Sequence, residues 1–189
     1  MNNKSTKDTL LSCAAELMSE KGYNGVGLKE ILDAAGVPKG SFYHYFKSKE
    51  EFAIEIIRIN FCRKNEYMRM FFENREKGPM ERIHAIIDSY KTSDYKNDSL
   101  LVKMVAEMAE LSEPIKCELQ AGMNETKRML SDCLSAAQKA GEIDKSHNIE
   151  ELTEFIFTGW EGATIRSKMS GNSVSFDVFC NYLFSRVLV

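Results

Sequence analysis

Gly36-Val-Pro-Lys39-Gly40-Ser41-Phe42-Tyr43-His44-Tyr45-Phe46-Lys47-Ser48-Lys49-Glu50-Glu51 is the stretch on which the reading of this chain turns. Just before it, Leu28, Ile31, Leu32 and Ala35 recur at helical spacing and mark one short helix, which Gly36 closes. Pro38 opens the next helix, where a missing N–H costs nothing. Phe42 and Phe46 stand four residues apart and anchor that helix. Tyr43, His44 and Tyr45 follow one another, and a helix this short cannot turn all three toward a core. Exposed aromatic groups beside lysines point to a binding surface.

Two short helices joined by a Gly-containing turn suit a helix-turn-helix. The major groove of DNA is about 12 Å wide and admits one helix, provided a second helix braces it. Residues 28–35 are the expected brace and residues 38–45 the expected reading helix. Lys39 can reach a guanine edge or a phosphate. Gly40 lets backbone approach closely, and Ser41 can donate to phosphate or base. Tyr43 and His44 can bond phosphate or touch thymine methyls. Lys47 and Lys49 flank the next helix start, whose N–H groups attract phosphate.

Outward from this segment the pattern stays helical. Leu10, Leu11, Ala14, Leu17 and Met18 stripe a first helix over 8–21, capped by Ser5 or Thr6 and ended by Gly22. Ser48-Lys-Glu-Glu51 reads as a capping box opening a long helix that ends before Gly78-Pro79. Further amphipathic helices are expected over 80–92, 100–111, 114–140, 149–169 and 174–188. There is no strand pattern and no internal repeat. The expected fold class is therefore all-α, with a helix-turn-helix domain at 1–50 and a helical domain at 51–189.

Composition agrees. The 189 residues are 43% hydrophobic and 28% charged, a globular balance. Net charge is −3, yet residues 1–64 carry ten basic and eight acidic side chains against fifteen and twenty in the remainder. A mildly basic head on an acidic body suits a protein that offers DNA one face. No apolar h-region follows the first residues and no apolar run approaches membrane-spanning length, so a cytoplasmic location is expected. The five cysteines are scattered without a Cys-x-x-Cys pair, which argues against a disulfide framework or a zinc site. His84 and His147 have no partner at metal-ligand spacing. No nucleophile–base arrangement or phosphate loop is visible, so neither an enzyme nor a cofactor is expected.

Residues 8–55 resemble the N-terminal domain of the TetR family of bacterial transcriptional regulators. The likeness is carried by Ala34-Ala-Gly-Val-Pro-Lys-Gly-Ser-Phe-Tyr-His-Tyr-Phe-Lys-Ser-Lys-Glu50. It implies a homodimer with two heads on a helical ligand-binding and dimerisation body. It also implies that Lys39, Gly40, Ser41, Tyr43 and His44 sit in the groove while Lys49 holds phosphate. One departure concerns the start of the second helix. The family often has a capping Thr there, whereas this chain has Val26-Gly27, so any contact at Gly27 must come from backbone N–H groups. The segment Leu101–Glu113 is similar to regulators that sense reactive electrophiles such as quinones, aldehydes and N-ethylmaleimide. Those carry a cysteine where this chain has Ala109, so their thiol chemistry does not carry over. The helices over 149–170 and 174–188 would form the dimer interface.

Met104, Met108, Cys117, Phe157 and Trp160 are the candidate effector-binding residues. Methionine fills adaptable cavities, and Cys117 lies beside Lys116 in a first helical turn. The reading is a repressor released from a double-stranded operator by a small molecule. The alternative is a DNA-binding protein of the same fold controlled by a protein partner.

Overall fold

The computed structural model describes residues 5–92, 104–105, 107–108 and 112–189. Every regular element among the described residues is helical. They assemble into two compact units. One is built from residues up to 62 with those of 98–122, the other from 63–97 with 123–189.

In the first unit, α1 (Thr6–Lys21) opens on a complete capping box between Ser5 and Asp8 and ends at Gly22, whose φ of 77° favours glycine. It buries Leu10, Leu11, Ala14 and Met18. Leu17, expected on the same stripe, is only half-buried. The short α2 (Leu28–Ala35) buries Ile31 and Leu32 and closes on Gly36 in the left-handed region. Pro38 caps α3 (Lys39–Tyr45), which starts one residue later than the sequence suggests. Long α4 (Lys49–Phe72) follows. Ser48 Oγ accepts from the Glu51 N–H at 3.0 Å, and the Glu51 carboxylate accepts from the Lys47 N–H at 2.7 Å. The expected capping box therefore forms with its return bond shifted one residue outward.

Phe42 is fully buried and meets Phe52 edge-on at 5.2 Å between ring centres, with Phe46 4.7 Å from Phe52. The first ten residues of α6 (Glu113–Ala140), as far as Gly122, complete this unit. Gly122 packs so tightly on Phe61 that a Cβ there would overlap the ring. Met104 and Met108 are helical and buried in the same unit. Most of the helix expected over 100–111, with Ala109 and Glu110, lies outside the described residues.

The second unit joins the end of α4 to α5 (Pro79–Thr92), the rest of α6, α7 (Ile149–Ser170) and α8 (Val174–Tyr182). Its core includes Ile83, Ile86, Leu134, Ile156 and Phe176. Inside it, the Thr126 hydroxyl donates to Asn65 Oδ1 at 2.7 Å. Gly159 leaves room for the Phe179 ring, whose Cε2 would lie 2.5 Å from an added Cβ. The close approach at Gly159 is thus between α7 and α8 of one chain.

Two helix ends differ from expectation. The long α4 stops at Phe72 because Asn74 turns the chain, its side chain accepting from the Glu76 N–H at 2.9 Å. Arg82 then donates to the Phe72 carbonyl at 3.2 Å, satisfying one of the helix's last acceptors. The last helix becomes a π-helical turn over Leu183–Val187, closed by the Leu188 N–H on the Leu183 carbonyl at 2.8 Å.

Because Phe42 is fully buried in a ring cluster, Phe42→Ala is expected to destabilise the head by about 3–5 kcal/mol. Urea denaturation followed by circular dichroism measures this. An unchanged midpoint would contradict the burial.

Candidate DNA interface and internal cavity

The surface of α3 divides cleanly. Phe42 points into the core, while Lys39, Gly40, Tyr43 and His44 are exposed and Ser41 is half-exposed. Positions 39, 40, 43 and 44 lie on one helical face, since four residues make a little more than one turn. Tyr43 is 53% exposed although its ring edge contacts Phe42 at 5.3 Å. A tyrosine braced in this way presents its hydroxyl at little conformational cost. Nothing lies within 4 Å of a Cβ added at Gly40, so the glycine keeps an open approach to backbone rather than serving packing. An open groove beside α3 has Lys29, Lys39 and Tyr43 on its walls, together with Asp33. Lys29 was not singled out from the sequence. Its signal is a lysine in the first turn of the bracing helix, two residues after Gly27.

Gly27 caps α2 in an extended conformation, with φ −83° and ψ 151°, and supplies no side-chain acceptor. Its surroundings are open, with nothing within 4 Å of an added Cβ. The amide groups of this helix start are left for water or an external anion.

Lys49 faces inward. Its Nζ donates to the Val26 carbonyl at 2.9 Å, reaches the Tyr23 carbonyl at 3.5 Å, and sits 4.3 Å from the Tyr23 ring centre. Burial holds its ammonium below the usual lysine pKa. Burial, and secondly Glu50, raises the Tyr23 phenol. Glu107 approaches the same turn, accepting from the Asn24 N–H at 3.1 Å. Its carboxylate also occupies the place that a Cβ at Gly22 would take. The turn leading into α2 is thus held by Lys49 and by Glu107.

The second unit holds a partly open cavity of about 40 Å³. Met68 and Phe72 of α4 line it with Ile83, Ile86 and Tyr90 of α5. Leu130 of α6 and Phe157 and Trp160 of α7 complete most of the wall. Its polar lining side chains are Lys64, Thr126 and Glu161, together with the phenol of Tyr90. Of the effector candidates, Phe157 and Trp160 line this cavity. Met104 and Met108 belong to the core of the first unit, and Cys117 is exposed in the first turns of α6. The tyrosine, isoleucine and threonine lining was not anticipated, because a residue that faces a void looks the same in sequence as one that faces a core.

No cysteine lines the cavity. The Cys133 thiol donates to the Pro79 carbonyl at 3.2 Å, and burial pushes its pKa up to about 11. At pH 7.5 this thiol is therefore held in its unreactive, protonated form. Among the described residues no cluster of three metal-ligating side chains occurs, and no helix is long and apolar enough to cross a membrane.

Two outcomes are expected. Gly27→Ser supplies the missing cap acceptor in open space and raises stability by a few tenths of a kcal/mol. Urea denaturation measures this, and a lowered midpoint would contradict the open surroundings. N-ethylmaleimide at pH 7.5 should modify Cys62 and Cys117 in the native protein and leave Cys133 unmodified until unfolding. Peptide mapping by mass spectrometry reads this out, and native labelling of Cys133 would contradict its burial.

Over residues 10–56 the sequence matches the bacterial regulatory proteins of the tetR family, and over 79–183 the tetracyclin repressor-like C-terminal domain. The transcriptional regulator AcuR of Cereibacter sphaeroides is 30% identical over 165 residues, covering 85% of this chain and 75% of the relative. The HTH-type transcriptional repressor NemR of Escherichia coli K12 is 27% identical over 169 residues, covering 87% and 85%. The crystal structure of the reduced form of E. coli NemR superimposes with a TM-score of 0.88 at 26% identity, covering 98% of each chain. Regulators of this kind bind DNA and are not enzymes. With both of its parts matched, this chain belongs to the tetR family of bacterial transcriptional regulators.

Proposed function

We propose that this regulator is a cytoplasmic repressor that binds a double-stranded operator as a homodimer and leaves it when a small molecule occupies the cavity of the second unit. The observation that carries the DNA part is the exposed face of α3 formed by Lys39, Gly40, Tyr43 and His44. Lys39 and Tyr43 meet base edges or phosphate. Gly40 and Ser41 bring the helix backbone close. The uncapped amides at Gly27, and the remaining N–H of Lys49, hold phosphate and fix the register. Lys29 adds a further phosphate contact.

The dimer reading is supported by exposed apolar groups on α7 and α8. Phe155, Ile165 and Met169 on α7, and Val174, Val178 and Tyr182 on α8, are all exposed, Met169 at 81%. Isolated apolar side chains are common on surfaces, but six on two successive helices form the kind of face that a second copy covers. Two heads then read half-sites one helical turn apart, about 34–36 Å.

Control by a small molecule is favoured over control by a protein partner because the second unit has a concave cavity lined mostly by aromatic and aliphatic groups. An occupant shifts the protein toward whichever state it binds better, and operator affinity falls if that state cannot match both half-sites.

The test is binding of the purified chain to duplex DNA from upstream of its own gene at physiological salt, against a scrambled duplex. Lys39→Ala and Tyr43→Ala are each expected to weaken specific binding by about 1–3 kcal/mol without changing the melting curve. Gly40→Ala should likewise spare the fold, since its Cβ meets nothing, and weaken operator binding by blocking close approach. Unchanged affinity in all three variants would refute the assigned reading face.

A further inference from the structure

The walls of the cavity in the second unit limit what it can hold. Resting on the reading of this cavity as the effector site, we infer that it takes an uncharged molecule built on a single apolar ring, bound reversibly against Tyr90, Phe157 and Trp160.

Charge is the first limit. Lys64 and Glu161 are the two charged lining residues, they are of opposite sign, and both are half-buried. A ligand with net charge gains from one and is repelled by the other. It also loses hydration against walls that are otherwise apolar, which costs several kcal/mol for an ion without a dedicated partner. A neutral molecule avoids both penalties. The neutral polar groups of the lining are the Thr126 hydroxyl, which already donates to Asn65, and the Tyr90 phenol, so the wall has no charged group dedicated to an ion.

Shape and size are the second limit. Trp160 stands edge-on to Tyr90, 4.6 Å between ring centres and 82° between planes. Such crossed rings offer both a face and an edge to a third ring. The resting cavity measures about 40 Å³, whereas an apolar cavity that accepts benzene measures about 150 Å³. A ring therefore enters only by displacing part of the wall. Met68 is the wall residue suited to this, being unbranched and flexible. A second fused ring would have to displace Ile83 or Ile86, which are β-branched, stiff and almost fully buried. One ring is thus the upper size.

Reversibility is the third limit. Because none of the five cysteines lines the cavity, no thiol stands ready to form a bond with the occupant. Binding rests on burial alone, unlike thiol-based electrophile sensing.

Trp160 is the single tryptophan of the chain, so fluorescence excited at its red edge reports this cavity directly. The experiment titrates the full-length protein at pH 7 with benzyl alcohol, benzoate and benzylammonium, and follows operator binding in parallel. Benzyl alcohol should change the emission saturably and reversibly on dialysis, with both charged relatives at least about tenfold weaker. Ile86→Phe, which fills the cavity, should weaken benzyl alcohol binding at least about tenfold. Met68→Ile, which stiffens the wall without adding volume, should weaken it in a protein whose melting curve is retained, and so covers the case in which Ile86→Phe does not fold. Equal or tighter binding of either ion, or no saturable response to any of the three, overturns the inference. Operator release by a compound that leaves Trp160 emission unchanged also overturns it, while leaving ligand control of DNA binding in place. Charge-selective binding of benzyl alcohol with an undisturbed operator complex supports the cavity chemistry and instead refutes the cavity as the effector site.

Discussion

A seven-residue helix makes too few internal hydrogen bonds to persist by itself. The α3 helix exists because Phe42 and Phe46 bury against Phe52 at the start of α4. Everything proposed for DNA recognition depends on that ring cluster, since it leaves the opposite face of α3 free to carry Lys39, Gly40, Tyr43 and His44. Burial and exposure within one short segment are therefore a single constraint. The rings that hold the helix also set the rotation at which its polar face meets the groove.

The long helix α4 contributes residues to both compact units. Its first residue, Lys49, ties down the turn into α2, and Met68 and Phe72 near its other end line the cavity. Lys49 spends most of its hydrogen-bonding capacity inside the protein. Glu107 adds a bond to the same turn, so the entry into the bracing helix is a fixed piece of structure rather than a slack connection.

Much of the head was legible in the sequence because its signals are local. Gly36, Pro38, the Phe42–Phe46 spacing and the Ser48–Glu51 cap each act within a few residues, and each appears in the structure where the pattern put it, within a residue. The all-helical fold was legible for the same reason. The cavity was legible only through Phe157 and Trp160, because its lining comes from four helices and depends on which apolar positions fail to touch. Met104 and Met108 show the difficulty, since a methionine filling a core and one facing a void have the same helical spacing. Glu107 and Lys49 were obscure for a related reason. A charged residue in an amphipathic helix looks solvated until a turn distant in sequence is seen to offer it a carbonyl or an N–H. The end of α4 at Phe72 turned on Asn74 and Arg82, whose bonds are tertiary as much as local.

Two tight approaches in this fold involve a glycine and a phenylalanine, Gly122 with Phe61 and Gly159 with Phe179. In each the aromatic ring occupies the volume that a Cβ would claim, so neither member can change size alone. A relative that acquires a side chain at position 122 or 159 has to shrink or turn the ring opposite it, and one that loses the ring has to fill the space left behind. These positions are therefore bound to evolve in pairs. Their joint history across the family would record where helices must touch, in the same way that compensating base changes record the stems of a folded RNA.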